Sequence, residues 1–227
     1  MENEYDAIRE LAKTAGKGID ATREMGGFIA KYIGGPLEQG IGIFEDRLKF
    51  LRWERQIRLI RRVQEILDES GLKAPTQNVP MKLLIPILQG ATLEENDSLQ
   101  DIWANLLVNA ANASFGEEVR SSYISILEQL NPLDAQILNT LYSLPFNESQ
   151  HNGILTAELP EIARIAEEDR KENPLPPNNE IVICLSNLVR LGCLRPEMTW
   201  GGGEVFGRVN PTIAGRAFVN ACRIRKI

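Results

Sequence analysis

One histidine, three cysteines and 6% aromatic residues leave this 227-residue chain short of the side chains on which most reactive sites are built. His151 stands alone in the polar stretch FNESQHNG, with neither a nucleophile nor an orienting carboxylate placed to make it an acid–base group. It reads as an exposed loop residue. Cys184, Cys193 and Cys222 form no CxxC pair, and an odd, scattered set makes neither a disulfide framework nor a local zinc site. All three are expected as free thiols. The glycine groups at Gly26-Gly27, Gly34-Gly35 and Gly201-Gly202-Gly203 fit neither the P-loop nor the dinucleotide-binding pattern, so no phosphate cradle is expected. Scarce aromatics exclude the stacking platforms that bind single-stranded nucleic acid. No apolar run has the length of a membrane-spanning helix. The opening MENEYDAIRELAK is acidic and amphipathic, without the basic and apolar regions of a secretory leader. These absences predict a cytoplasmic protein without cofactor or metal that is not an enzyme.

What is present is ordinary globular composition, 43% apolar and 25% charged, in a length that allows one or two domains. The net charge of −6 and pI near 5.1 exclude a general polyanion binder. Charge is unevenly spread: balanced over 1–80, −5 over 81–130 and −1 over 131–227.

Helical periodicity dominates the first 130 residues. Tyr5, Ile8 and Leu11 predict a helix over 3–19. Segment 25–44 carries six glycines and should break at Gly34-Gly35, with Pro36 opening the first turn of the next helix. That helix, 37–69, is the longest signal in the chain. Phe44, Leu48, Leu51, Leu59, Val63 and Ile66 form an apolar stripe with a gap at Arg55, and Gly71 supplies the left-handed cap after it. A short linker, 73–80, leads to an apolar helix from Met81 to Gln89, kinked at Pro86. Thr92 and Glu95 have capping-box spacing ahead of a helix with Leu99, Ile102, Trp103, Leu106, Leu107 and Ala110 on one face. A further helix covers 118–130. Residues 1–130 thus read as a helical domain.

After Pro132 the pattern changes. Leu133, Ile137, Leu138 and Leu141 predict one helix, and Glu158 to Glu168 a second, with Leu159, Ile162 and Ile165 inward. A third, capped by Asn178 or Asn179, buries Ile181, Val182, Leu185, Leu188 and Val189 and stops at Gly192. A strand from Leu194, a turn at Thr199–Gly203, a returning strand Val205–Val209 and a last helix from Pro211 complete the chain. Three helices, a glycine-tipped hairpin and a helix are the order of a winged helix-turn-helix domain. The predicted fold is mainly α: an N-terminal helical domain, 1–130, with one long basic helix, followed by a C-terminal winged helix-turn-helix domain, 131–227.

Three surfaces are candidates for function. Arg52, Arg55, Arg58 and Arg62 line one face of the long helix and could meet phosphates or anionic lipid. The plainer reading, favoured by charge balance, pairs them with the acidic middle third. Phe28 and Tyr32, in the glycine-rich segment, could lie on a membrane, although a hinge for close helix approach is the preferred reading. The outward positions of the third C-terminal helix, Asn178, Asn179, Glu180, Ser186, Asn187 and Arg190, offer one arginine, too few for DNA phosphates. Basic residues do collect at Arg216, Arg223, Arg225 and Lys226. Protein contact is therefore preferred to DNA. Trp103 reads as core, Trp53 as either a stacking or an interface residue, and Trp200, beside three glycines, as a partner contact.

The segments IGGPLEQGIGIFEDRLKFLRW, QEILDESG, VPMKLLIPILQGATLEENDSLQDIWANLLVNAA, YISILEQLNPLDAQIL and LVRLGCLRP resemble the Abi-alpha (abortive infection alpha) family of bacteria. The likeness runs from about Gly34 to Leu144, more loosely through the C-terminal part. It implies antiviral defence, in which the infected cell stops growing or dies so that phage cannot spread. It carries over no catalytic residue. The resulting expectation is a non-enzymatic defence protein acting through protein contacts (self-association, a phage protein or a host protein) or through peripheral membrane contact on activation. A winged-helix DNA-binding regulator of a defence locus is the alternative.

Overall fold

The structure, a computed structural model, describes residues 23–33, 53–167 and 174–224. The expectations for 3–19, for the break at Gly34-Gly35, for the first half of the long helix and for Arg52, Arg225 and Lys226 lie outside the described residues. What is described is mainly helical, with a small four-stranded antiparallel sheet. It falls into two units, 1–124 with 223–227, and 125–222.

In the first unit, α1 (23–30) buries Met25, Phe28 and Ile29, and Tyr32 follows just beyond it. α2 (Trp53–Glu69) buries Leu59, Val63 and Ile66 on the predicted stripe, and the gap in that stripe is filled by buried Gln56. Gly71 closes the following turn with φ 69°, as its place after the helix requires. α3 (Met81–Leu93) packs on α2, and α4 (Asp97–Ala110) on both. Trp103, Leu106 and Leu107 are fully buried there, so Trp103 is core as expected.

Three expectations are corrected. α3 does not stop at Gln89 but runs through Pro86 to Leu93. Ile87, Leu88 and Ala91 are completely buried beyond the proline, and that packing outweighs the single hydrogen bond Pro86 forfeits. Thr92 is consequently inside the helix, its hydroxyl donating to Leu88 O at 2.7 Å. The N-cap of α4 is Asn96, whose Oδ1 accepts from Leu99 N at 3.1 Å. The helix expected over 118–130 is the shorter α5 (Ser121–Leu127).

The second unit opens with α6 (Pro132–Leu141) behind a reciprocal capping box of Asn131 and Asp134, and continues with α7 (Phe146–Asn152). His151 is therefore in the last turn of a helix and not in a loop, because Pro145 starts a short helix that FNESQHNG completes. β1 (Ile154–Leu155) follows, and then turns and β2 (Arg164–Ile165) stand in the described part, 158–167, of the helix expected over 158–168. Pro160 interrupts that segment, and Ile162, read as inward, is 45% exposed. The isolated periodicity of Leu159, Ile162 and Ile165 is too short to hold a helix against the pairing that β1 offers Arg164 and Ile165.

α8 (Asn179–Arg190) begins at Asn178, whose side chain caps Ile181 N, and buries Ile181, Cys184, Leu185 and Leu188. β3 (Leu194–Met198) and β4 (Glu204–Pro211) form the hairpin, and α9 (Ile213–Ala221) starts at a Thr212 cap, two residues beyond the proline expected to open it. All pairings are antiparallel in the order β2-β1-β4-β3, with Ile154 opposite both Ile165 and Val209, and Arg195 opposite Asn210.

Candidate functional site

The predicted arginine stripe on α2 faces α4. Arg55 Nη1 lies 2.6 Å from Asp97 Oδ1. Arg58 donates to Gln100 Oε1 at 2.7 Å, Asp101 Oδ1 at 2.8 Å and Asp97 O at 3.1 Å. Arg62 binds Glu65 at 3.0 Å, and its Nε sits 3.2 Å from Asp101 Oδ2 without the alignment of a hydrogen bond. Helical spacing explains the match. Arginines at 55, 58 and 62 and acids at 97 and 101 each project from one face at intervals of three or four.

Electrostatics follow the geometry. The hydrogen bond from Arg55 holds the Asp97 carboxyl below its ordinary range; desolvation opposes it, and the fields of Arg58 and Arg55 add to it. At Arg62, partial burial opposes the charge, but the Glu65 hydrogen bond and the fields of Asp101, Glu69 and Glu65 outweigh it and raise the guanidinium pKa. Gln100 completes the seam. Fully buried, it donates to Arg55 O at 3.1 Å and Ala91 O at 2.6 Å, joining α2, the end of α3 and α4. Sequence reading passed over this residue. Its place one and two turns before Trp103 and Leu107 puts it on the buried face and was the available signal.

Phe28 and Tyr32, the candidates for a membrane surface in the segment preferred as a hinge, are 6% and 1% exposed, their rings 4.9 Å apart. Burial pushes the Tyr32 phenol far above its normal pKa.

In the second unit the outward polar residues of α8 are largely engaged. Arg190 donates to Gln129 Oε1 at 2.8 Å and to Asn187 Oδ1 at 2.6 Å. Asn187 donates to Gln129 O at 3.1 Å and Asp134 Oδ2 at 2.9 Å. Buried Asp134 thus caps α6 and receives α8 through one carboxylate; the Asn-x-x-Asp spacing was its sequence signal. Tyr142 is a second hub. Its hydroxyl donates to Cys193 O and accepts from Thr212 N at 3.1 Å, which ties α6 to the start of β3 and of α9. Burial, the main cause, drives the Tyr142 phenol well above its ordinary pKa. Cys184, Cys193 and Cys222 form no disulfide and are buried. Burial pushes the Cys193 thiol up to about 12, and burial together with Asp134 pushes Cys184 up to about 11.

The hairpin tip is different. Thr199 N donates to Gly203 O at 2.8 Å, Gly202 N to Thr199 O at 2.9 Å and Gly203 N to Thr199 Oγ1 at 2.9 Å, a closed turn. Trp200 on that turn is fully exposed (108%), and Met198 beside it is 60% exposed. Arg190, the other candidate wing contact, is held at the Gln129 turn. Ile183, midway along α8, is 69% exposed. Among the described residues no group of three His, Cys, Asp or Glu side chains is placed to hold a metal ion, and no helix is long and apolar enough to cross a membrane.

Fold and surfaces define a mainly helical protein of two units, the second carrying a small antiparallel sheet whose hairpin exposes a tryptophan. The sequence model of the abortive infection alpha family matches residues 54–222, which is most of the chain, and the protein belongs to that family. Membership assigns it to abortive infection, a form of phage defence. No curated protein and no solved structure matches it.

Proposed function

We propose that this protein acts in phage defence without catalysis, by docking a protein partner through the glycine-tipped hairpin of its second unit. The observation that carries the reading is Trp200, an entire indole held in water on a hydrogen-bonded turn. Burying such a side chain in a partner is worth about 4–6 kcal/mol gross, from some 200 Å² of mostly apolar area. The closed turn lowers the entropy lost on docking. Aromatic anchors of this kind dominate protein interfaces.

We read the second unit as a winged helix. β1, β4 and β3 are neighbours in that order, α8 leads directly into β3, and the β3–β4 hairpin is the wing. The turn after β1 stands where the second helix of such a domain would be. Protein contact is favoured over DNA because α8 turns Ile183 and Glu180 outward while Asn187 and Arg190 hold the Gln129 turn. A helix so equipped presents little to phosphates. The membrane version draws less support, since Phe28 and Tyr32 are buried and Arg55, Arg58 and Arg62 are engaged within the unit.

The test is affinity capture from phage-infected cells with wild type and Trp200→Ala, alongside plaque counts. Trp200→Ala is expected to lose both the captured phage or host protein and protection, while melting like wild type. Retention of both overturns the reading. Salt-dependent duplex binding that Arg190→Glu abolishes would put the DNA regulator in its place.

A further inference from the structure

A groove of about 530 Å³ opens in the second unit between the end of α7, the start of β3 and the β4–α9 junction. Its lining includes His151, Arg195, Asn210 and Ile213, and no carboxylate. That charge pattern is unusual for the unit. Arg164 is matched by Glu158 at 3.1 Å, Arg208 by Glu197 at 2.6 Å, Arg190 by Gln129, and Arg216 stacks on Phe146 at 4.0 Å. Arg195 is exposed and has no such partner among the described residues. Ile213, at the same groove, is 63% exposed. Asn210 donates its amide to Gln150 O at 3.0 Å, which leaves its carbonyl oxygen able to accept from a ligand N–H.

We infer that this groove is a docking site for an acidic peptide segment of a partner protein. Arg195, with His151 nearby, receives a carboxylate, Ile213 receives an adjacent apolar side chain, and Asn210 takes a backbone N–H. The volume falls within the range of built ligand pockets. The floor is preorganised: Thr212 Oγ1 donates to Gly192 O at 2.6 Å and accepts from Gly215 N at 2.8 Å. A peptide fits better than nucleic acid. One unmatched arginine and one histidine answer a single carboxylate, while a chain of net charge −6 repels a polyanion at long range. The segment uses the groove and does not add to the sheet. β3 is an edge strand, but Pro196 at its centre removes a donor that strand addition needs.

The test uses the full chain and a fluorescent peptide carrying one Asp beside a Leu, read by anisotropy, against the same peptide with Asn in place of the Asp. Wild type is expected to bind the acidic probe and not the neutral one, shifting backbone amide resonances at Gly192, Arg195 and Ala214. Arg195→Glu should weaken binding by about tenfold or more, the loss of one charge-assisted pair, and Ile213→Ser by less. Trp200→Ala should leave the affinity unchanged, which separates this site from the hairpin. Equal binding of the neutral peptide, indifference to Arg195→Glu, absence of binding, or displacement by an oligonucleotide at lower concentration each overturns the inference.

Discussion

Arg58 is the place to test whether the basic stripe of α2 belongs to the fold or to a partner. Its side chain is 29% exposed, and it spans Gln100, Asp101 and the backbone carbonyl of Asp97. An exposed ion pair is worth about 0–1 kcal/mol. A half-buried arginine with three acceptors sits higher, and a hydrogen bond to a charged group contributes about 1.5–3 kcal/mol. Truncating Arg58→Ala also leaves the Gln100 amide oxygen and an Asp101 carboxylate oxygen without their donor. The expected cost is about 2–3 kcal/mol, which lowers the melting temperature of a unit this size by roughly 10 °C or more. Arg58→Glu should cost more, since it sets a third carboxylate beside Asp97 and Asp101. The exchanged pair, Arg58→Asp with Asp101→Arg, should regain about half the loss. Thermal unfolding followed by circular dichroism measures all four proteins, and plaque counts measure protection in parallel. If Arg58→Glu melts within a degree or so of wild type while abolishing protection, the seam is not structural and the stripe serves a partner.

Gly215 and Asp97 yield two further expectations. A Cβ at Gly215 would overlap the Tyr142 hydroxyl and press on Cys193 O, so Gly215→Ala should cost about 2–4 kcal/mol in urea unfolding. Tyr142→Phe alone should cost only about 1 kcal/mol, because Thr212 N keeps Cys193 O as acceptor, and it should partly rescue Gly215→Ala; no rescue would show that the clash lies elsewhere. Asp97 has a depressed pKa, so its contribution is present above the unfolded-state value near 3.9 and is lost as pH falls through the lower folded value. Asp97→Asn should therefore flatten the acid limb of stability against pH below about pH 4, and an unchanged limb would show that Arg55 does not hold the carboxylate.

Legibility tracked the range of the interactions involved. The stripe of Leu59, Val63 and Ile66, the buried face of α4, the Asn178 cap, the Gly71 and Gly192 stops and the hairpin around Thr199–Gly203 are all set by neighbours within a few positions. They were visible as spacing and turn chemistry. The acidic excess of 81–130 likewise pointed to a counter-charge for the α2 arginines, but which acid met which arginine was not visible. Those partners are 39 to 43 residues apart. The sequence misleads where long-range burial competes with local rules: α3 continues past Pro86 because its far side is core, and 158–167 holds turn and strand because β1 pairs with Arg164 and Ile165.

The sequence by itself determined a mainly helical chain, three scattered cysteines, one histidine, a hairpin with an aromatic at its tip and membership in a defence family. Those follow from residue type and short-range order, which no packing arrangement alters. Only the tertiary structure decided that Phe28 and Tyr32 are sheltered, that Gln100, Asp134 and Tyr142 tie helices together, and that Arg195 is left without a match while its neighbours are satisfied. The reason is physical. Burial and pairing are properties of where distant segments meet, and a periodic pattern specifies the face a helix buries without specifying what lies against it.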